Sequence, residues 1–191
     1  MKHCGTQKLE TERLILRRFV LEDVEAMYRN WASDENVTKY LTWSAHSSAD
    51  TSKAVLKEWT ASYKNDNYYQ WAIVLKENGN EPIGSIGAVG MNEDISMVHI
   101  GYCIGRNWWH RGIMSEALKK VIDFFFDQAG ANRIESRHDP RNPYSGMVML
   151  KCGMKYEGTM RSADRNNQGI CDSCWYAILK SDWFGIASDI K

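Results

Sequence analysis

His110, Arg111 and Gly112 fall between a stretch of alternating character and a run with helical periodicity, in the segment Ile-Gly-Tyr-Cys-Ile-Gly-Arg-Asn-Trp-Trp-His-Arg-Gly-Ile-Met-Ser-Glu-Ala from Ile100 to Ala117. A strand that turns through a short basic loop into a helix leaves the first N–H groups of that helix without acceptors. Those donors and the positive end of the helix dipole coincide, which makes an anion site. Glycine at position 112 lets backbone come close to a phosphate. Other phosphate motifs do not fit. No Gly-Lys-Ser/Thr ending is present, which excludes a P-loop, and Gly84-x-x-Gly87-x-x-Gly90 has the wrong spacing for a dinucleotide fingerprint and lies inside a strand. Cys171-x-x-Cys174 suggests metal only at first sight. In a strand an i, i+3 pair points to opposite faces, and no second pair accompanies it, so no metal site is expected.

The elements that must carry this loop can be read from periodicity. Leu14 to Phe19 predicts a strand, and from Leu21 the residues Val24, Met27, Tyr28 and Trp31 fall on one helical face. Ser47 with Asp50 three residues on predicts a capped helix start, followed by Val55, Leu56, Trp59 and Tyr63. Tyr69 to Leu75, Ile83 to Val89 and Ser96 to Ile104, separated by turns at Asn78-Gly79-Asn80 and Asn92-Glu93-Asp94, predict an antiparallel meander. After the loop, Ile113, Ala117, Val121, Ile122 and Phe125 form an apolar stripe, with Gly130 as C-cap. Arg133 to His138 is the next strand, and strand–helix–strand predicts a parallel pair. Asn142 with Pro143 starts a helix that ends at Gly153. Met154 to Met160 and Cys171 to Leu179 then form a hairpin around the polar loop Asp164 to Gly169.

Composition bounds the partners. The chain has 191 residues, 24 Lys plus Arg against 24 Asp plus Glu, and so no net charge. That speaks against nucleic acid, which usually demands a basic surplus. No apolar run approaches the ~20 residues of a membrane span, and Met1 to Glu12 lacks a signal-peptide core. Five cysteines without a secretory leader point to reduced thiols and a cytoplasmic protein. The length and the absence of linkers or repeats imply one α/β domain over residues 1–191.

In combination these segments resemble the GCN5-related N-acetyltransferases. The strand, the loop containing Arg111-Gly112 and the helix carry the likeness, together with Asn142-Pro-Tyr-Ser145-Gly-Met-Val-Met-Leu-Lys151-Cys-Gly153-Met. The opening Leu9-Glu-Thr-Glu-Arg-Leu-Ile-Leu-Arg17, with Ile100-Gly101-Tyr102, is similar to the ribosomal-protein alanine acetyltransferases, the RimJ/RimL type. The resemblance spans roughly Leu9 to Phe184. It implies a single-domain fold with a mixed, mostly antiparallel sheet of about seven strands flanked by about four helices.

The resemblance also implies acetyl-CoA as donor and a primary amine as acceptor, either a protein N-terminus or a small molecule. An alternative of another class is a non-catalytic acetyl-CoA-binding sensor. No metal is implied, and the chain would be a monomer or homodimer. The pyrophosphate would lie on Trp109, His110, Arg111, Gly112, Ile113, Met114 and Ser115, and pantetheine along Tyr102, Cys103 and Ile104. The family's loop usually begins with Gln or Arg and ends with Gly or Ala; here Trp109 and Met114 take those places. His99 stands where many relatives carry a glutamate and is the candidate base, since imidazole titrates near ~6.5; a strand histidine packed for structure is the other reading. Ser145, with Tyr144 as backup, would protonate the departing thiolate, although Ser145 also suits a first helical turn. Asn142 would contact the cofactor or simply cap its helix. Tyr40, Trp43 and Tyr68 are the candidate acceptor-site residues, although large aromatics usually build core.

Overall fold

Trp71 to Leu75 contains no polar residue, and in the structure, a computed structural model describing residues 1–188, every one of these side chains is buried. They belong to β3 (Gln70–Leu75). Trp71, Ile73 and Leu75 enter one core, while Ala72 enters a second on the opposite face. Such a run is what a strand covered on both sides requires. β2 (Leu14–Arg17) and β4 (Pro82–Asn92) pair with β3 antiparallel, and β1 (Leu9–Glu10) edges β2. β5 (Met97–Ile104) is antiparallel to β4 and parallel to β6 (Arg133–His138), confirming the expected parallel pair. β8 (Gly169–Leu179) and β7 (Lys155–Asn166) complete an eight-stranded sheet in the order β1-β2-β3-β4-β5-β6-β8-β7.

α1 (Val24–Met27), α2 (Glu35–Thr38) and α3 (Ala49–Ser62) contribute Met27, Val37 and Leu56 to the smaller core, with Phe19 and Trp31. The larger core lies under α4 (Ile113–Asp127), whose predicted stripe is wholly buried. There Trp71 meets Phe124 edge-on at 5.5 Å and Tyr69 meets Phe125 at 4.9 Å. α5 (Pro143–Lys151) follows β6 on the same side, where Met149 joins that core, and α6 (Lys180–Ser188) brings Trp183 against it.

Eight strands and six helices replace the expected seven and four. β1 makes only the pairs Leu9–Leu16 and Glu10–Ile15, too short for alternation to register. The helix expected from Leu21 is interrupted. A tight turn at Leu21–Asp23 leads into α1, and a wide turn at Tyr28–Ala32 follows, in which the Ser33 N–H reaches the Tyr28 carbonyl at 3.1 Å. The polar stretch taken as a loop from Asp164 to Gly169 is mostly strand. The ladder runs on to Asn166–Gly169 and only Asn167 and Gln168 form the turn. β7 is an exposed edge whose bulges between Tyr156 and Gly158 and between Met160 and Asp164 accommodate polar residues facing water. α3 starts at Ala49, one residue later than a Ser47 cap would place it, with Ser48 at the N-cap.

Leu118 lies fully buried on α4 beneath the sheet. Leu118→Ala is expected to lower unfolding free energy by about 2–5 kcal/mol in urea titration; a loss under about 1 kcal/mol would mean that α4 does not seal this core.

Candidate active site

Two irregularities meet at His99. In β4, Val89 is an extra residue between Ala88, which faces Ile100, and Gly90, which faces His99. Across β5, the parallel ladder with β6 makes only three pairs, Met97–Arg133, Val98–Ile134 and His99–Glu135, and stops. A bulge increases local twist, and from here β5 and β6 part. Ser136 still reaches over, its hydroxyl donating to the Ile100 carbonyl at 2.7 Å, which shows that residue 100 directs its backbone toward β6. Backbone groups of alternate residues in a strand point to the same side. Tyr102 therefore also directs its N–H and C=O into the gap, where no strand pairs with them. The next such carbonyl, that of Ile104, is capped by the Trp109 indole N–H at 2.8 Å.

The loop beyond carries the expected donors. His110 (φ 60°) and Gly112 (φ 72°) are both left-handed, a conformation that glycine adopts freely and histidine rarely. Among the described residues, no acceptor meets the N–H groups of 110 to 115; the first helical bond runs from Glu116 to the Gly112 carbonyl at 3.1 Å. Met114 buries its side chain in the core while its N–H stays with this set, so its bulk does not enter the loop. Arg13 steadies the turn from below, donating to the Arg111 carbonyl at 3.1 Å and to Glu116, which also accepts from Thr11. A diphosphate fits this donor set.

Alternation along β5 divides the remaining candidates between the two faces of the sheet. Tyr102 faces α5, where its hydroxyl donates to the Ser145 carbonyl at 2.9 Å and accepts from the Ser145 hydroxyl at 3.1 Å. Burial pushes the Tyr102 pKa well up and keeps this pair neutral. Tyr144 is 59% exposed and sets its ring edge-on to His110 at 4.6 Å, spanning from α5 to the loop. Asn142 is the residue before Pro143, with no side-chain capping bond. His99 lies on the opposite face, as does Cys103, whose thiol bonds Ser85 and is pushed up to about 11 by burial. Only 9% of His99 is exposed. Its Nδ1 lies 3.2 Å from Glu135 Oε1, and its ring meets Trp175 edge-on at 5.3 Å. Burial lowers the imidazole pKa, against the raising effect of Glu135.

Tyr40 and Trp43 sit on a loop held by the β7–β8 turn. Asn167 donates from its side chain to the Thr38 and Trp43 carbonyls, both at 2.8 Å, and from its backbone to Leu41. Tyr40 lies under the Arg141 guanidinium at 5.8 Å, and Arg141 grips Asp139, which also accepts from Asn166. Loop, hairpin turn and the entry to α5 thus share one rim. Tyr68 is not joined to it by a ring contact; it packs edge-on against Tyr63 at 5.4 Å.

Comparison with known proteins accords with this geometry. Residues 13–155 match the family model described as an acetyltransferase (GNAT) domain. The chain belongs to the GNAT acetyltransferases. The uncharacterized N-acetyltransferase p20 of Bacillus licheniformis is 30% identical over 94% of this chain and 99% of its own length. The ribosomal protein uS5-alanine N-acetyltransferase of Escherichia coli is 33% identical over 44% of each chain. Among solved structures, the microcin C7 self-immunity acetyltransferase MccE, in complex with acetyl-CoA and AMP, superposes with a TM-score of 0.80 at 20% identity, covering 88% of this chain and 93% of its own.

For this GNAT acetyltransferase, reasoning from sequence missed Glu135, Arg137, Asp164 and Trp175 around His99. The available signal was Arg133, Glu135 and Arg137 alternating along a strand between two others; charges on one face of an interior strand need partners there. No described helix is long and apolar enough to cross a membrane, and the described residues contain no group of three or more metal-ligating side chains.

Asp139 is 6% exposed, and the Arg141 guanidinium holds its carboxyl well below the usual range. Its contribution to stability is therefore present above the ordinary carboxylate pKa of ~3.9 and lost as pH falls below it. Asp139→Asn should cost about 1.5–3 kcal/mol at pH 7, with the gap to wild type closing in denaturation series carried into acid; an undiminished gap at low pH would contradict the assignment.

Proposed function

We propose that this chain moves the acetyl group of acetyl-CoA directly to a primary amine, with a protein N-terminal α-amino group as the acceptor. The observation that carries the reading is the gap beside Tyr102, bounded by His99 at one end and by the free amides of residues 110 to 115 at the other. Those amides hold the diphosphate, with Arg111 adding charge and Gly112 close approach. Tyr102 pairs with pantetheine as a neighbouring strand would, and an N–H on this edge polarises the thioester carbonyl. The names of the Escherichia coli relative and of MccE support the acceptor and donor classes.

His99 collects the proton. The amine attacks the carbonyl carbon, a C–N bond forms as the C–S bond breaks, and the ammonium proton passes to the imidazole. An alkylamine with pKa near ~10.4 must first lose a proton at a cost of about 5 kcal/mol at pH 7, whereas an α-amino group near ~7.7–8.0 requires about 1 kcal/mol. A base whose pKa burial lowers stays unprotonated at neutral pH, and its gap to the second amine is the smaller one. Ser145, whose hydroxyl is oriented by Tyr102, relays a proton to the thiolate and takes one from water in exchange, while His99 releases its proton to water. Tyr40 and Trp43 border the entry for the acceptor. All five cysteines are unpaired, in keeping with a cytoplasmic setting, and the chain acts as a single N-acetyltransferase domain, monomer or homodimer.

A thiol-release assay across small amines and N-terminal peptides tests this, with turnover expected on free peptides and none on their N-acetylated forms. Saturable CoA binding without turnover on any amine would overturn it. The kcat/KM profile should fall on the acid side through two pKa values, that of the acceptor's α-amino group near ~7.7–8.0 and that of His99 below ~6.5, and His99→Gln should remove the lower limb, leave the amine's, and cost about 10²–10⁴-fold of the rate. Ser145→Ala should slow turnover less, because a thiolate is a good leaving group, and Tyr144→Phe should leave it unchanged; the reverse order would give the acid role to Tyr144.

A further inference from the structure

We propose that Glu135 is a positioning residue for His99, holding the imidazole in the tautomer that leaves Nε2 open to accept the acceptor's proton. This rests on the reading of His99 as base. His99 and Glu135 are register partners, the last of the β5–β6 ladder, and occupy the same face where the strands part. Glu135 Oε1 is 3.2 Å from His99 Nδ1. A carboxylate only accepts, so Nδ1 carries the hydrogen and the lone pair is left on Nε2. Among the described residues, Nε2 has no hydrogen-bond partner.

The carboxylate is itself held. Its other oxygen accepts from Arg133 Nε at 3.1 Å, and the remaining Arg133 nitrogens grip Glu157 at 2.9 and 2.5 Å. On the other side of the imidazole the charges are matched. Arg137, which lowers the His99 pKa, pairs with Asp164, which raises it, and stacks its guanidinium over Trp175 at 5.2 Å. Glu135 is the one of these groups bonded to the ring. A purely structural Arg133–Glu135 pair would need no bond to the ring and would not select its tautomer.

Glu135→Gln keeps the volume but can either donate or accept, so it no longer selects a tautomer. It also removes the negative charge that raises the His99 pKa. The expected result is a fall in kcat of roughly 10- to 100-fold, unchanged KM for CoA, and an acid limb displaced to lower pH. In a His99→Gln background the same substitution should cost nothing further. If Glu135→Gln leaves kcat and the limb in place while His99→Gln abolishes the limb, the Glu135 role is overturned and the base reading stands. If His99→Gln keeps the limb that lies below the acceptor amine's own, both fall. Should Glu135→Gln not fold, nitrogen-15 NMR of wild-type His99 above its pKa decides: an Nδ1-protonated ring supports the proposal, and an Nε2-protonated ring overturns it.

Discussion

Three residue pairs join β5 to β6, and everything distinctive about this sheet follows from the ladder stopping there. Buried backbone donors and acceptors are nearly always paired, because leaving one unmade costs free energy. Here a central strand turns part of its edge away from its neighbour. Each end of the break is secured. Ser136 ties Ile100 across it at the near end, Trp109 caps Ile104 at the far end, and Val89 bulges out of β4 beside it. The backbone of Tyr102 between those points remains for a ligand of strand-like shape.

Chain direction then places the rest. Leaving Ile104, the chain has only a short loop before α4, so the helix N-terminus must open near the far end of the gap. The left-handed Gly112 and the Arg13–Glu116 contacts hold that turn. α4 crosses over the larger core to β6, which returns parallel to β5 and leads through Asp139 into α5. Asp139 fixes this entry through Arg141 and Asn166, and so brings Ser145 to the Tyr102 hydroxyl. The base candidate and the acid candidate consequently approach from opposite faces of one strand, His99 and Tyr102 being an odd number of residues apart.

β6 carries Arg133, Glu135 and Arg137 in the interior of the sheet, where unpaired charge is expensive. Each finds an opposite charge or an imidazole: Glu157 for Arg133, His99 for Glu135, Asp164 for Arg137. Two of these partners come from the exposed edge strand β7. The exposed, bulged strand β7 thereby supplies the counter-charges for the two arginines that flank Glu135.

Local chemistry made much of this visible in advance. The stripe of α4, the boundaries of β6, the turn at Pro143 and the orphan donors after Gly112 follow from near neighbours alone, since helix periodicity and helix ends are local properties. The family resemblance carried by Asn142 to Gly153 and by the Arg111-Gly112 loop drew attention to His99, Tyr102 and Ser145. Tertiary structure decided what depends on distant segments meeting. It placed Glu135 and Trp175 on His99 and joined the Ser145 and Tyr102 hydroxyls. It also turned Met114 inward, seated Tyr40 and Trp43 on the β7–β8 turn, and packed Tyr68 against Tyr63. A sequence records which side chains can bond, but register between strands far apart in the chain determines which of them do.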